Sequence, residues 1–388
     1  MTSRRPRIGV DFHVVDGKYQ GSRTHVVELF RRVIAGLPEA DFFLFLDSPA
    51  GLAALGEEFG HKNVVAVKMP LSNPAVRLAL QLPGLQARHR LDLLHVQYVA
   101  PLPSRSRFVV TIHDVLFESM PEHFSAFFRL RSSVLMRSAA ARAEHVFTVS
   151  EYSRSEIAVR FGTPVEKITV IPNAVSSERF RPGPAGENLV QARGLSPRGY
   201  LLTVGRLEPR KNQATLVRAY ARLRPPRPTL VLAGQRDFGY GELFRSIRTL
   251  GLEREVIVVE DASDAELAAL YRHAAVFVYP SFGEGFGLPP LEAMASGTPV
   301  ITSTAPALTE VTGDAAITAP ANDADALAGA ITRVLGEPGL AAALVEKGLA
   351  RVRCHSWADS AARVVDRYRE ILALRSVSAA HNEGDVAC

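Results

Sequence analysis

Short apolar runs recur along this chain with longer helix-period stretches between them, and that rhythm leaves few folds open. Runs at 8–12, 42–46, 64–67, 93–97, 108–112, 145–149 and 168–171 read as strands buried on both faces. Helical periodicity fills 24–34, 121–141 and 151–161, and 17–23 reads as a glycine-containing loop. Repetition of strand, helix and strand builds a parallel sheet covered by helices. Residues 181–198 then concentrate proline, glycine and charge, the composition of a connector. The rhythm restarts with strands at 200–204, 229–233, 256–259, 276–279 and 300–302. Helices are expected at 212–223, 240–250, 264–273, 291–296, 323–335, 338–353 and 357–374. The expected class is α/β, with two doubly wound domains facing across a cleft. Domains at 1–180 and 199–356 flank the 181–198 linker, followed by a C-terminal helix at 357–375 and a flexible tail at 376–388.

Size and charge agree with that layout. A chain of 388 residues, 47% hydrophobic, can bury two cores. The 45 basic against 40 acidic side chains leave a net charge of +5, too small an excess to imply nucleic-acid binding. It fits a basic cleft for phosphates, or weak attraction to an anionic membrane surface. Cys354 and Cys388 match no metal-ligand spacing. The basic start is followed by an apolar run that breaks at Asp11 and His13, unlike a signal peptide. No uncharged run is long enough to span a bilayer. A cytoplasmic location is expected, with the inner face of the membrane as its extension.

Ligands of doubly wound sheets lie beyond the carboxyl ends of the strands, and the unusual residues of this chain fall there. After the strand 200–204 comes Gly205-Arg206-Leu207-Glu208-Pro209-Arg210-Lys211-Asn212. Arg206 can fork around phosphate oxygens and Lys211 can set a point charge beside them, although a solvated turn would look the same. After 276–279 comes a turn with Glu284, then a helix with Glu292 near its start. Glycines there allow close backbone approach, and Pro289 and Pro290 tolerate a first helical turn. Glu284 can accept hydrogen bonds from sugar hydroxyls and Glu292 can accept both hydroxyls of a ribose. A helix-favouring charge is the plainer account of Glu292, but its apolar neighbours imply burial, and a buried acid needs a partner. His113 closes the strand 108–112, where it can meet a sugar hydroxyl or serve as a satisfied structural residue. His95, at the end of the strand 93–97, can face an acceptor or, at least as readily, belong to the core. Ser150 reads as an N-cap, with Ser153 directed toward a ligand. The loop 16–24, including Gly21, can bring amides toward a phosphate, yet it is not the dinucleotide fingerprint. His13 and His25 lack a third metal ligand, and no metal site is expected. Neither a Gly-Lys-Ser/Thr phosphate loop nor a Gly-x-Ser-x-Gly elbow occurs.

Taken together, Gly205-Arg206-Leu207, Lys211-Asn212, Ala233-Gly234 and the run Pro280-Ser281-Phe282-Gly283-Glu284-Gly285-Phe286-Gly287-Leu288-Pro289-Pro290-Leu291-Glu292 resemble the family 4 retaining glycosyltransferases. The resemblance extends from about residue 8 to about residue 374. It implies the GT-B fold, two Rossmann-like domains with the donor nucleotide held mainly by the C-terminal one and the acceptor on the N-terminal side. The C-terminal helix would return to the N-terminal domain, with Trp357 as an apolar anchor. By the same resemblance Arg206 and Lys211 bind the diphosphate, Glu284 holds donor-sugar hydroxyls, and Glu292 holds the ribose. Gly205, Gly285, Phe286, Gly287 and Leu288 line the donor site, with amides around 286–288 approaching sugar and diphosphate. His113 reaches the donor sugar, and Gly21 stands where the family's glycine loop nears the phosphates, although Gly21-Ser22-Arg23 lacks adjacent glycines. Such enzymes are usually independent of a bound divalent metal. The acceptor hydroxyl is thought to attack from the side vacated by the leaving phosphate, which takes its proton.

The activity this implies is hexosyl transfer from a nucleotide diphospho-sugar, with no bound cofactor, to a glycan, glycolipid or small-molecule hydroxyl. The segment Thr111-Ile112-His113-Asp114-Val115-Leu116-Phe117 resembles mannosyl- and related hexosyltransferases, which points to GDP-mannose, with a UDP-sugar as the other donor. One alternative is a sugar-phosphate acceptor, for which Arg105, Arg107, Arg129 and Arg131 offer cations. Another is a nucleotide-sugar-binding scaffold without turnover. Phe124, Phe127, Phe128, Leu130 and Leu135 among Arg129, Arg131 and Arg137 form a basic amphipathic stretch. It can rest on an anionic membrane or pack on its own sheet, and packing is the expectation. Oligomeric state is left open by the sequence.

Overall fold

Buried apolar runs become strands wherever a parallel ladder can cover both of their faces, and here they do so twice. The computed structural model describes residues 4–15, 21–48, 59–69 and 73–373. One unit comprises the described residues up to Asn173 together with those from Ser356; the other is Ala174–His355. The first contains β1 (Arg7–Asp11), β2 (Asp41–Leu46), β3 (Val64–Lys68), β4 (Leu93–Gln97), β5 (Arg107–Thr111), β6 (His145–Thr148) and β7 (Ile168–Val170). They form one sheet in the order β3-β2-β1-β4-β5-β6-β7, with every pairing parallel. All residues of β4 and β6 are buried, so the sheet is covered on both faces, while edge strand β3 is half-exposed. Helix Trp357–Leu372 belongs to this unit and packs on helix Gly21–Gly36. Trp357, its first residue, is buried.

The second unit contains β8 (Tyr200–Val204), β9 (Thr229–Ala233), β10 (Val256–Val259), β11 (Val276–Tyr279), β12 (Val300–Ser303) and β13 (Ala316–Ala319). Their order is β10-β9-β8-β11-β12-β13, again all parallel. Both units are therefore Rossmann-like. Each sheet runs outward in two directions from one neighbouring pair, β1 and β4 in the first and β8 and β11 in the second. In such sheets the crevice for a ligand opens above that pair, at the carboxyl ends.

Several elements depart from expectation for local reasons. The helix expected over 121–141 is interrupted: Pro121 starts a 3-10 turn, and Ser125 then caps the helix Ala126–Arg142 through its hydroxyl to the amide of Phe128. Of the stretch expected to pack on its own sheet, Phe124 joins the core, but Phe127 and Leu130 face outward. Gly21 is the first residue of a helix and no longer part of a loop; residues 16–20 of that loop lie outside the described residues, as does the tail 376–388. Residues 181–198 include the helix Glu187–Gln191, with Val190 and Leu195 buried. Strand β13 and the helices Leu82–His89 and Pro306–Thr312 were not expected.

Candidate functional site

In the second unit the ends of β8 and β9 approach so closely that only glycine fits. Gly205 and Gly234 both have φ of 152°, and a Cβ on Gly234 would stand 2.0 Å from the Gly205 carbonyl oxygen. Their backbones are joined, since the Gly205 amide donates to Ala233 at 2.9 Å. The chain then makes a 3-10 turn, Pro209–Lys211, and Asn212 takes the left-handed conformation at φ 58° that asparagine tolerates. The Asn212 side-chain amide donates to Pro280 at 3.0 Å and Ala321 at 2.6 Å, fastening the loops after β8, β11 and β13 together.

Glu284 sits at the centre of this arrangement, buried in the turn after β11. Its Oε1 accepts from Lys211 Nζ at 2.7 Å, Ser281 Oγ at 2.6 Å and Tyr279 Oη at 3.0 Å, and Arg210 Nη1 lies 3.1 Å from Oε2. Burial alone would raise this carboxyl, but Lys211, Arg210 and the hydrogen bonds win and hold it at about 2. Burial pulls the Lys211 ammonium down, against the opposing pull of Glu284. The Tyr279 hydroxyl, buried beside that carboxylate, is pushed well above the usual tyrosine range and stays a donor. Arg206 lies on the same β8 loop with its guanidinium against Asp237, and its side chain is 42% exposed.

Glu292 occupies a contrasting environment. It lies in the helix Leu288–Ala295, which begins after Gly287 at φ 118° with no side-chain cap and with prolines in its first turn. The prolines carry no N–H, so part of the usual donor surplus of a helix start is removed. Tyr271 donates to Glu292 Oε2 at 2.7 Å. Burial raises the Glu292 carboxyl, outweighing the tyrosine and Arg179. Gly285 is buried in the turn, Phe286 packs edge-on against His355 at 5.7 Å, and a Cβ at Gly287 would come within 2.6 Å of Leu308. Leu288 is half-buried at the start of the helix.

In the first unit the corresponding strand ends carry histidines. His113 follows β5, is buried, and meets Gln97 Oε1 through Nε2 at 3.1 Å. His25 stands edge-on to it, with ring centroids 4.6 Å apart, and is itself held by Asn173 at 2.7 Å. Burial, then His25 and His95, drives His113 well below the ordinary histidine range, so it is neutral at pH 7. Its Nε2 faces an amide oxygen, which leaves Nδ1 as an acceptor in that neutral form. His95 is structural, fixed between Tyr368 at 2.5 Å and Thr111 at 2.7 Å. Ser150 caps helix Glu151–Phe161 as expected, but the Ser153 hydroxyl donates to the His113 carbonyl at 2.9 Å. The end of β1 holds another pair of note: buried Asp11 is bound by Arg77 and by His13 at 2.8 Å.

The structure thus joins Lys211 to Glu284, and keeps Arg206 on the same loop and Glu292 on the next helix. Sequence reasoning passed over Arg210, Tyr279, Ser281 and Asp237. Arg210 adjoins Lys211, and Tyr279 and Ser281 shortly precede Glu284, so proximity to the chosen residues was the available signal for these three; Asp237, far from Arg206 in sequence, carried none. Of the arginines offered for an acceptor phosphate, Arg107 pairs with Glu144, Arg105 is exposed, and Arg129 and Arg131 lie exposed on helix Ala126–Arg142. Among the described residues, no group of three or more His, Cys, Asp or Glu could hold a metal ion.

Comparison with known proteins gives two adjoining family matches. The model described as Glycosyltransferase Family 4 matches residues 19–179, and that described as Glycosyl transferases group 1 matches 188–351. The O-antigen chain mannosyltransferase B of Escherichia coli is 34% identical over 78% of this chain and 81% of its own length. The MMP alpha-(1->4)-mannosyltransferase of Mycolicibacterium hassiacum is 34% identical over 62% of this chain and 57% of its own. Among solved structures, Anabaena HepE in complex with UDP and glucose has a TM-score of 0.76 at 22% identity, covering 94% of this chain and 100% of that one. WaaG, a glycosyltransferase involved in lipopolysaccharide biosynthesis, has a TM-score of 0.71 at 17% identity, covering 93% and 99%. At these identities the structural likeness concerns the fold, which is GT-B.

Proposed function

This chain belongs to the family 4 glycosyltransferases, and from that premise we propose that it transfers mannose from GDP-mannose to a glycan hydroxyl, with anomeric configuration retained. The observation that carries the reading is the network at the β8–β11 switch point, where Lys211 and Arg210 fix Glu284 beside the loop of Arg206. When the bond from C1 to the β-phosphate breaks, its electron pair goes to the phosphate oxygen. Cations already fixed in a buried network stabilise that growing charge without reorganising. Arg206, half-exposed, exchanges Asp237 for the diphosphate, and Lys211 contributes its field from within the network. The acceptor oxygen bonds to C1 on the face the phosphate leaves, and the phosphate takes its proton.

The remaining roles follow from each environment. Glu284, held ionised, orients sugar hydroxyls. Glu292 uses its Oε1, which has no partner among the described residues, to accept from the ribose diol. His113, neutral, accepts from a sugar hydroxyl through Nδ1. Gly205, Gly285, Gly287 and Leu288 let the donor lie against backbone, with Phe286 as a buried wall, and Gly21 opens a helix whose first amides suit a phosphate. Mannose is favoured because the relatives named for O-antigen assembly are mannosyltransferases. The test is a panel of GDP-mannose, GDP-glucose, UDP-glucose and ADP-glucose, read by nucleoside diphosphate release and by the anomeric signal of the product. GDP-mannose turnover with a retained α-linkage is expected. Turnover of a UDP-sugar alone, or an inverted product, would refute the donor or stereochemical assignment.

A further inference from the structure

The carboxyl end of β4 is polar although it is closed off from solvent. Gln97, its last residue, is 2% exposed and carries an amide. The register of the sheet decides what that amide meets. Gln97 stands opposite Thr111 of β5, and His113 follows Thr111 by two residues. Parallel pairing therefore delivers the Gln97 side chain to the imidazole, with Oε1 at 3.1 Å from Nε2. The amide nitrogen of Gln97 is buried with no partner among the described residues. A leucine or methionine would fill the same space without an orphaned donor, so the use of this residue lies in its oxygen.

The turn that follows is shaped around the same imidazole. Tyr98 has φ of 62°, a left-handed conformation uncommon for so bulky a side chain. The Val99 amide donates to the Gln97 carbonyl at 2.7 Å, and the Tyr98 amide donates to Thr111 at 2.8 Å. This turn sets the Tyr98 ring against His113, with centroids 5.2 Å apart. His25 meets the imidazole edge-on at 4.6 Å. His113 is thus confined by an amide, a phenol ring and a second imidazole. Strained backbone of this kind persists where the surroundings over-determine it, and it clusters at ligand sites.

We propose that Gln97 is the positioning residue for His113 in sugar transfer and, through it, a determinant of donor specificity. Its oxygen accepts from Nε2–H, which fixes the tautomer and the ring angle and leaves a lone pair on Nδ1. That lone pair selects a sugar presenting a hydroxyl hydrogen and rejects one that offers only an acceptor, such as fluorine. A rotated amide would donate to Nε2, move the proton to Nδ1 and reverse the preference. This role rests on the sugar contact proposed above for His113 and names what holds it in place.

Two measurements test it separately. In nitrogen NMR spectra of free, histidine-labelled enzyme at neutral pH, Nε2 of His113 should carry the proton and Nδ1 none; His113→Asn identifies the signal. Calorimetric Kd values are then compared for GDP-mannose and its deoxyfluoro analogues, with one sugar hydroxyl replaced at a time. One analogue should bind about tenfold more weakly than GDP-mannose, the worth of a single hydrogen bond. In Gln97→Met, and in Gln97→Asn, whose amide is one methylene too short, the proton should spread over both nitrogens and that ratio should fall toward unity. Both variants should keep the circular dichroism of the parent. A preference that survives unchanged in both would overturn the role of Gln97 and leave the His113 contact standing. A protonated Nδ1 in the wild-type enzyme, or no preference at any hydroxyl, would overturn both. Failure of GDP-mannose to bind would refute the donor assignment, and the nitrogen spectra of parent and variants would still decide for or against Gln97.

Discussion

Glu284 and Glu292 share a side chain and little else. Hydrogen bonds and cations hold Glu284 at about 2, whereas burial beside Tyr271 raises Glu292. The first is a fixed anion whose loss unbalances two buried cations; the second has an oxygen to offer. Glu284→Gln should therefore cost stability, about 3 kcal/mol for a broken buried ion pair, and should also lower kcat. Glu292→Ala should raise the Kd for the nucleoside diphosphate roughly tenfold to a hundredfold, the worth of a charged hydrogen bond, with kcat largely kept. Arg206→Ala should do the reverse, cutting kcat by about a hundredfold or more with little change in Kd. Calorimetric titration beside steady-state kinetics separates these effects. Equal losses of Kd and kcat in both variants would remove the distinction drawn here between ribose and phosphate roles.

At the strand ends, the sharpest constraint is the contact of Gly234 with Gly205. An alanine at 234 would need its Cβ 2.0 Å from a carbonyl oxygen, with both glycine amides already bonded to neighbouring strands. Gly234→Ala is expected to lose about 3 kcal/mol or more in urea denaturation, the range of overpacking combined with backbone strain. Gly84, inside helix Leu82–His89 with nothing within 4 Å of its Cβ position, is the control. Gly84→Ala should be neutral or stabilise by up to about 1 kcal/mol; similar losses in both would mean that the close approach does not matter. These strands were legible because their apolar runs are continuous, the mark of parallel strands buried on both faces. Strand β13 was not, since at the sheet edge Ala316 and Ile317 are only partly buried and Thr318 is exposed. Helix Leu82–His89 hid behind Pro83 and the π-turn Arg77–Gln81, which break the 3.6-residue period. In the site, the residues that must lie at strand ends could be read from spacing. Which of them bond could not: Lys211 and Glu284 are far apart in sequence, and only the parallel pairing of β8 with β11 brings them together.

Acid should undo the two units in sequence, because their ionisable groups differ in kind. The first unit buries neutral histidines: burial drives His25 and His145 down to about 4 and His95 to about 3. A histidine with a depressed folded value stabilises fully above its unfolded value near 6.5, and that stability is lost as pH falls toward 4. Asp11, held at about 2 against burial by His13 and Arg77, adds a further loss, but only below about pH 4. The second unit relies chiefly on carboxylates, Glu284 and Glu266, both held at about 2. Their contribution is intact above the unfolded carboxylate range and disappears only below about pH 4. In the same unit the raised value of Glu292 works the other way, favouring the fold slightly as pH drops. His355, also depressed, is a single histidine against the several of the first unit. The chain's one tryptophan, Trp357, is buried in the first unit and reports on it alone. Between pH 6.5 and 4 its emission should shift to the red while much of the far-ultraviolet circular dichroism persists, and the rest should go at lower pH. A single step in which emission and dichroism change together, or a tryptophan signal that holds until below pH 4, would show that the buried histidines do not set the acid limit of the first unit.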